Sequence, residues 1–273
     1  MLGKLLKHEW KSVWKIPTIL LCVLMGLAVL AGLGFASPIW DSGLEGLGVL
    51  AVLSWMVFYF AIMGVSVGIM LYLAVRFYRS MFTDEGYLTH TLPVTTRQLL
   101  FSKVLVMAAW IFLSMVGIFI SIMIAGGIAV LFLMCQEFSW REMRELLYML
   151  QQMVSSQIGI RFASFFAGIL FMIPAMIVYG TMMIVGSISI GQMVSKHKVL
   201  GSIGAYFALS TVVQIISMVI VMPMLFYHIV NGTENVFDIL TPTYWIMGLL
   251  ECVLAVGLYF LSEYLIRRRL NLD

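Results

Sequence analysis

Residues 104–134 read VLVMAAWIFLSMVGIFISIMIAGGIAVLFLM, and no side chain among them is charged. A helix needs about 20 apolar residues to cross a hydrocarbon core of about 30 Å, so this run is long enough to span a bilayer. The run is continuous and does not alternate with a period of two, which indicates a helix and not a strand of a membrane barrel. The stretch therefore predicts a transmembrane helix.

The composition of the whole chain agrees with that prediction. The 273 residues are 62% hydrophobic and 11% charged, with a mean hydropathy of +1.05, whereas soluble domains are roughly 25% charged. The three cysteines lie far apart, which predicts neither a disulfide framework nor a metal cluster. The sequence predicts an all-α integral membrane protein with six transmembrane helices. Their predicted spans are residues 16–36, 47–75, 104–134, 162–190, 201–229 and 244–266.

The basic residues predict the orientation of these spans. Six spans put both termini on one side, and that side holds all but three of the 16 lysines and arginines. The exceptions are Arg141, Arg144 and Arg161, and most acidic residues of the loops lie with them. Because cytoplasmic loops are enriched in Lys and Arg, we expect both termini to be cytoplasmic and the protein to lie in the plasma membrane.

The first fifteen residues, MLGKLLKHEWKSVWK, predict a separate amphipathic helix. Apolar residues recur at helical spacing on one side, and four lysines lie on the other. We expect residues 1–15 to rest in the inner headgroup layer, with a break near Pro17 before the six-span domain of residues 16–273. Two alternatives are a cleaved signal peptide, which lacks its A-x-A cleavage pattern, and a basic leader that only sets topology.

A second surface helix is expected on the outer side, between spans three and four. Ser139-Trp140-Arg141-Glu142 fits a capping box, and apolar residues follow it at spacings of three and four up to Val154. The pattern predicts a short amphipathic helix that lies on the bilayer or covers the bundle.

The longest inner loop contains the segment DEGYLTHTLPVTTRQLLFSK, residues 84–103. Pro93 disfavours a continuous helix before it, and Thr95-Thr96-Arg97-Gln98 fits a capping box, so a new helix should begin near Thr95 and lead into span three, with Lys103 near the inner interface. Tyr87, Leu88 and Leu92 would be exposed to water in a free connector. We therefore expect something to cover them.

Residues 76–105, RFYRSMFTDEGYLTHTLPVTTRQLLFSKVL, resemble the inner loop of bacterial ABC transporter permeases of the type-2 export class. Members of that family often show an acidic-Gly-Tyr-Leu stretch, then Leu-Pro-Val and a helix start with a lysine. The plan of six spans, an amphipathic N-terminal helix and cytoplasmic termini is similar too. The resemblance implies a permease subunit that exports an amphipathic substrate, such as a peptide, lipid or drug, and has no ATPase of its own.

In that family the inner loop forms a short coupling helix that docks on a separate ATP-binding subunit. The resemblance implies that closure of the ATPase pair would push on this loop and tilt spans two and three. The implied partners are the ATP-binding subunits, a second permease that is identical or paralogous, and membrane lipids, with no nucleic acid. The implied docking residues are Asp84, Glu85, Tyr87, Leu88, His90, Leu92, Pro93 and Arg97.

The chain lacks the chemistry for its own energy supply. No G-x-x-x-x-G-K-[ST] phosphate loop occurs in it. ATP and magnesium are therefore expected in the partner ATPase, and neither a cofactor nor a metal is expected in this chain. The sequence also departs from the family, because residues 231–245 are short for the pair of re-entrant helices that the family often has between spans five and six.

Glu251 lies about two turns into span six, where a charge facing lipid is costly. It has two interpretations, a substrate-pathway contact inside the bundle or a structural residue that reaches the outer interface.

Glu263 and Arg267 are spaced to pair along the same helix. Gly64 and Gly68 are spaced for close helix packing, within the subunit or between subunits. Lys196-His197-Lys198 marks the topology or makes a second contact with the ATPase.

Two other functions compete with transport. A six-span enzyme acting on lipid or peptide predicts convergent acids or histidines within the spans, and only Glu251 qualifies. A scaffold or sensor of envelope stress would use the same loop for docking without moving a substrate.

Overall fold

The computed structural model describes residues 2–36, 45–83, 95–137, 141, 144–145, 148–149, 157–194, 197–231 and 236–269. Within these residues the secondary structure is helical, with turns at the helix ends and no strand. The helices are α1 (Leu2–Val13), α2 (Lys15–Ala36), α3 (Glu45–Phe82), α4 (Thr96–Glu137), α5 (Gln157–Gly191), α6 (Lys198–Val230) and α7 (Val236–Arg269).

Six of these helices, α2 to α7, are long and apolar enough to cross a membrane, which confirms the predicted number of spans. Their ends extend beyond the predicted apolar runs. The 42 residues of α4 rise about 63 Å at 1.5 Å per residue, roughly twice the thickness of the hydrocarbon core. A helix of this length extends beyond the hydrocarbon core, and the first turn of α4 carries the polar residues Arg97 and Gln98.

The chain divides into two compact units. One unit comprises residues 77–108 and 148–273, and contains α5, α6, α7 and the beginning of α4. Its centre is the second half of α5, where every residue from Thr181 to Ser189 is buried. The buried hydroxyls in that stretch are satisfied locally, since Thr181 donates to the carbonyl of Ile177 at 2.8 Å and Ser189 to that of Val185 at 2.8 Å.

Helices α5 and α7 run parallel and pack closely. Gly168 lies against Trp245, Gly248 against Phe171, and Gly186 against Leu258. A Cβ added at Gly248 would stand 2.8 Å from the ring of Phe171, so the missing side chain is what allows this approach.

The other unit comprises residues 2–76 and 109–147, with α1, α2, most of α3 and the rest of α4. Here α2 is held by glycines on two sides. A Cβ at Gly32 would stand 2.9 Å from the carbonyl oxygen of Ala125 in α4, and one at Gly34 would stand 2.7 Å from the hydroxyl of Ser54 in α3.

The Gly64 and Gly68 pattern does not serve helix packing in this way. Gly64 is exposed with open space around its Cα, and Gly68 makes only an ordinary contact with Leu20 at 3.9 Å. Packing within the subunit, the first of the two predicted uses, is therefore not seen at Gly64, and a contact between subunits stays a prediction. The close approaches use Gly32, Gly34 and Gly248 instead.

Helix α6 presents large apolar side chains over much of its surface. Phe207, Val219 and Phe226 are each about two-thirds exposed, at 66%, 67% and 68%. Lipid tails are as apolar as these side chains, so such exposure suits a helix that faces acyl chains.

Candidate functional site

The predicted docking segment lies mostly outside the described residues. Asp84, Glu85, Tyr87, Leu88, His90, Leu92 and Pro93 fall in 84–94, and of the predicted docking residues Arg97 alone belongs to the described part of the chain. The local structure at the candidate site is therefore defined by the two helix ends that flank this segment.

The first flank is the end of α3, which is packed by aromatic rings. The ring of Phe82 makes an edge contact with that of Phe77, with 6.1 Å between centroids, and a tilted contact with Tyr78 at 6.2 Å. Phe77, Ser80 and Met81 are buried. The chain thus leaves a packed helix end where the docking segment begins.

The second flank is the start of α4, and it confirms the predicted helix start. Thr95 is the N-cap: its hydroxyl accepts a hydrogen bond of 3.4 Å from the amide of Gln98, and its carbonyl accepts one of 3.1 Å from the amide of Leu99. Leu99 and Leu100 are buried directly after it. The first turn of α4 is therefore stabilised by the Thr95 cap and by the burial of Leu99 and Leu100.

Arg97, in that first turn, forms an ion pair with Glu263 near the end of α7, through Nε and Oε1. The side chain of Arg97 is 68% exposed and that of Glu263 only 8%. A carboxylate removed from water needs a charged or hydrogen-bonding partner, and the guanidinium supplies both. The pair thus fastens the helix that follows the docking segment to the helix of the sixth span.

This contact corrects one sequence-based expectation. Glu263 and Arg267 have the spacing of a helical pair, but the carboxylate of Glu263 is bonded to Arg97. The i, i+4 rule considers a single helix, whereas Glu263 lies on the face of α7 that is buried. Sequence spacing alone carried no signal for the partner on α4.

A cleft of about 380 Å³ opens beside the ion pair. Two guanidinium groups and one carboxylate give it a net positive charge, and aromatic rings form the remaining wall. Its lining residues are Arg97, Phe260, Glu263, Tyr264 and Arg267.

Lys103 is buried, at 3% exposure, between Ser102 and Val104, which are buried as well. The sequence placed Lys103 near the inner interface and gave no sign of this burial. Its position two turns after the cap puts a basic residue in the packed part of α4.

Helix α1 covers most of the predicted N-terminal segment, and its position at a membrane surface stays a prediction. Lys4, Lys7 and Lys11 are exposed, while Val13 is buried. The ring of Trp10 stacks on that of Trp110 in α4, with centroids 4.9 Å apart and 27° between the planes. Since Trp110 is only 5% exposed, this stack anchors α1 to the side of α4.

The break between α1 and α2 falls at Trp14, three residues before Pro17. Backbone hydrogen bonds continue through it. The amide of Trp14 donates to the carbonyl of Trp10 at 3.2 Å, and the amide of Thr18 donates to that of Trp14 at 3.2 Å. The two helices are joined by a bend and not by an extended linker.

Glu251 lies in α7 on the side that contacts α5. Gly248, three residues before it, lies against Phe171, and Ala255, four residues after it, is buried. Oε2 of Glu251 is buried and has no hydrogen-bond partner among the residues that the structure describes. A charged residue at the centre of a membrane helix costs about 2.5–3.5 kcal/mol by insertion scales, so the position is unusual for a structural residue. Both interpretations of Glu251, a substrate-pathway contact and a structural residue that reaches the outer interface, stay predictions.

Between the third and fourth span-capable helices, the described residues of the predicted amphipathic helix are helical, namely Arg141, Arg144, Glu145, Tyr148 and Met149. Arg141 and Glu145 form an exposed pair at 3.5 Å. The rest of this prediction, including Trp140, lies outside the described residues. Helix α7 already begins at Val236, so much of the short outer segment before span six belongs to the helix of that span.

The turn between α5 and α6 carries the predicted basic segment. His197 is exposed and its carbonyl accepts a hydrogen bond of 2.8 Å from the amide of Gly201, while α6 begins at Lys198. Lys196 lies outside the described residues. A contact of this turn with an ATPase stays a prediction.

Comparisons of the chain with protein-family models, with curated proteins and with solved structures found no match.

Proposed function

We propose that the chain is the permease subunit of an ATP-binding-cassette exporter, with both termini in the cytoplasm and the inner loop between spans two and three as the docking element. Six span-capable helices support the membrane part of this proposal. The resemblance of residues 76–105 to type-2 export permeases supports the rest, together with the lack of a phosphate loop in the sequence.

The observation that supports the proposal most directly is the ion pair between Arg97 and Glu263. A docking loop can drive transport only if its movement reaches the spans. Arg97 lies three residues after the segment 84–94, in a helix start that is capped by Thr95. A push on the loop would therefore reach α4 through the backbone and α7 through the ion pair.

Helix α1 has a matching role in this proposal. Its exposed lysines would face anionic headgroups of the inner leaflet, and its stacked Trp10 would keep it beside α4. The arrangement would hold α1 beside α4 on the cytoplasmic side.

The test is co-purification of the full chain with the ATP-binding-cassette protein of the neighbouring reading frame, which also has to exist for the proposal to stand. Replacing Tyr87 and Leu88 by Asp should abolish recovery of the ATPase and leave membrane insertion intact. Tyr148→Asp, a matched charge placed at an exposed tyrosine on the opposite side, should leave recovery unchanged. Normal recovery with the Tyr87→Asp, Leu88→Asp variant would remove the loop from the interface.

Stimulation of ATP hydrolysis by a substrate in reconstituted vesicles separates an exporter from a scaffold. An exporter shows stimulation that is lost in the loop variant. A complex that assembles but responds to no amphipathic substrate would instead favour the scaffold.

A further inference from the structure

The six predicted spans contain three acidic, basic or imidazole side chains, Glu251, His228 and Glu263, and of these Glu251 alone lies more than four residues from an end of its span. The nearest charged residues on the helices of its unit lie toward the helix ends. They include Lys198 in α6 and Asp238 and Glu263 in α7. The interior of the α5–α6–α7 unit therefore contains one isolated acidic group.

The carboxyl group faces protein. Gly248, Glu251, Ala255, Leu258 and Ser262 share one face of α7 because they follow one another at steps of three and four residues. The contacts of that face are with α5, since Gly248 lies against Phe171 and Leu258 against Gly186. Glu251 is thus part of the seam between α5 and α7.

Aromatic rings lie along the same seam. Two turns before Glu251, the rings of Phe171 and Trp245 stack with 5.1 Å between centroids. Aromatic faces attract cations, and most strongly where water is excluded.

A weak point of α5 lies at the level of the carboxyl group. Residue 168 lies against 245 and residue 171 against 248, so in parallel helices residue 174 lies level with 251. That residue is Pro174, which has no amide to donate to the carbonyl of Leu170 and bends a helix at its position. A bend there provides a way to open the seam in front of Glu251.

We propose that Glu251 is the recognition group for the positive charge of an amphipathic cation, which enters the seam between α5 and α7 with its apolar body between the two helices. The buried Oε2 lacks a hydrogen-bond partner among the described residues, and a cationic group would supply one. A neutral analogue would leave the carboxyl group unpaired, so the site selects for charge. The claim that this cation is the exported substrate rests on the proposed function, whereas the claim that an amphipathic cation binds at Glu251 does not.

The experiment measures equilibrium binding of radiolabelled tetraphenylphosphonium to the purified full chain in maltoside micelles, whose headgroups carry no charge. Saturable binding is expected, and Glu251→Gln should weaken it roughly tenfold or more, because a charge-assisted contact is lost. Glu251→Asp should retain part of the affinity. Asp238→Asn removes one negative charge from the start of the same helix and should leave binding unchanged.

Unlabelled triphenylphosphine oxide has a similar aromatic body without the charge and should compete poorly. Equal binding by wild type and Glu251→Gln, equal competition by the oxide, or no saturable binding to wild type would each overturn the proposal. Gel filtration of the Gln and Asp variants checks their folding, and the Asp variant keeps the test valid if the Gln variant aggregates.

Added phosphatidylethanolamine distinguishes two sources of the cation. If it displaces tetraphenylphosphonium, the natural ligand is a lipid ammonium group, and if it does not, the ligand is a free amphiphile. No ATPase is needed for these measurements. Failed recovery of the ATPase would therefore refute the proposed function alone, and unchanged binding in Glu251→Gln would refute the cation site alone.

Discussion

Glu263, buried near the end of α7, is paired with the exposed guanidinium of Arg97 in the first turn of α4. The pair joins two helices through residues that are 166 positions apart in the sequence. The pair affects stability because Glu263 is buried and Arg97 is exposed. Removal of Arg97 would leave a buried carboxylate without its charged hydrogen-bond donor.

Arg97→Ala should therefore lower the melting temperature of the detergent-purified chain more than Arg267→Ala, although both remove one guanidinium from the same cleft. The physical reason is the uncompensated carboxylate of Glu263. Replacing both residues, as in Arg97→Ala with Glu263→Gln, should restore part of the loss. Equal melting temperatures for the two single arginine variants would show that the pair contributes nothing to stability.

Trp10→Ala should release α1 from α4. Loss of a stacked aromatic pair costs about 0.5–1.5 kcal/mol beyond the buried area, so trypsin should cleave faster at Lys4, Lys7 and Lys11. Trp14→Ala is the matched control, because it removes the same kind of side chain at the bend, whereas the stack on Trp110 is made by Trp10. Faster cleavage in the Trp14 variant, with none in the Trp10 variant, would contradict the anchoring role of the stack.

Gly191 and Gly204 should respond to alanine with opposite signs. A Cβ at Gly191 would stand 2.1 Å from the hydroxyl oxygen and 2.3 Å from the backbone nitrogen of Ser202, so Gly191→Ala should destabilise the α5–α6 turn by about 1–3 kcal/mol or more. Gly204 in α6 has nothing within 4 Å, so Gly204→Ala should stabilise by about 0.5–1 kcal/mol through helix propensity. Thermal unfolding of the two variants measures both effects, and the same sign for both would refute the packing of this turn.

The orientation is tested by labelling in intact cells. In a chain whose Cys22, Cys135 and Cys252 are replaced by Ala, Ser42→Cys should react with an impermeant maleimide, because residue 42 lies in a loop predicted to be outside. Leu88→Cys should react only after the membrane is opened. The reverse pattern would invert the topology and place the docking loop outside the cell.

The sequence predicted the number of spans correctly, because each apolar run is long enough to be recognised without knowledge of its neighbours. It also predicted the start of α4, since an N-cap is a local signal that Thr95 and Gln98 provide within four residues. For α3 to α7, the predicted spans were shorter than the helices that contain them. Helix α7 begins at Val236, eight residues before its predicted span, because helical hydrogen bonds continue past the lipid boundary that hydropathy detects.

Contacts between helices were the part that local patterns did not predict. Glu263 has a suitable partner four residues away, and its actual partner follows from packing against α4. Gly64 and Gly68 have the spacing of a packing motif, yet α2 packs through Gly32 and Gly34. Spacing specifies which residues share a face, but it does not say which neighbouring helix that face meets.

The bend at Trp14 has a mechanical consequence. Two backbone hydrogen bonds cross it, from Trp14 to Trp10 and from Thr18 to Trp14, so a movement of α1 that preserves them also moves the start of α2. Loss of the Trp10–Trp110 stack would therefore change the tilt of the first predicted span as well as the position of the amphipathic segment.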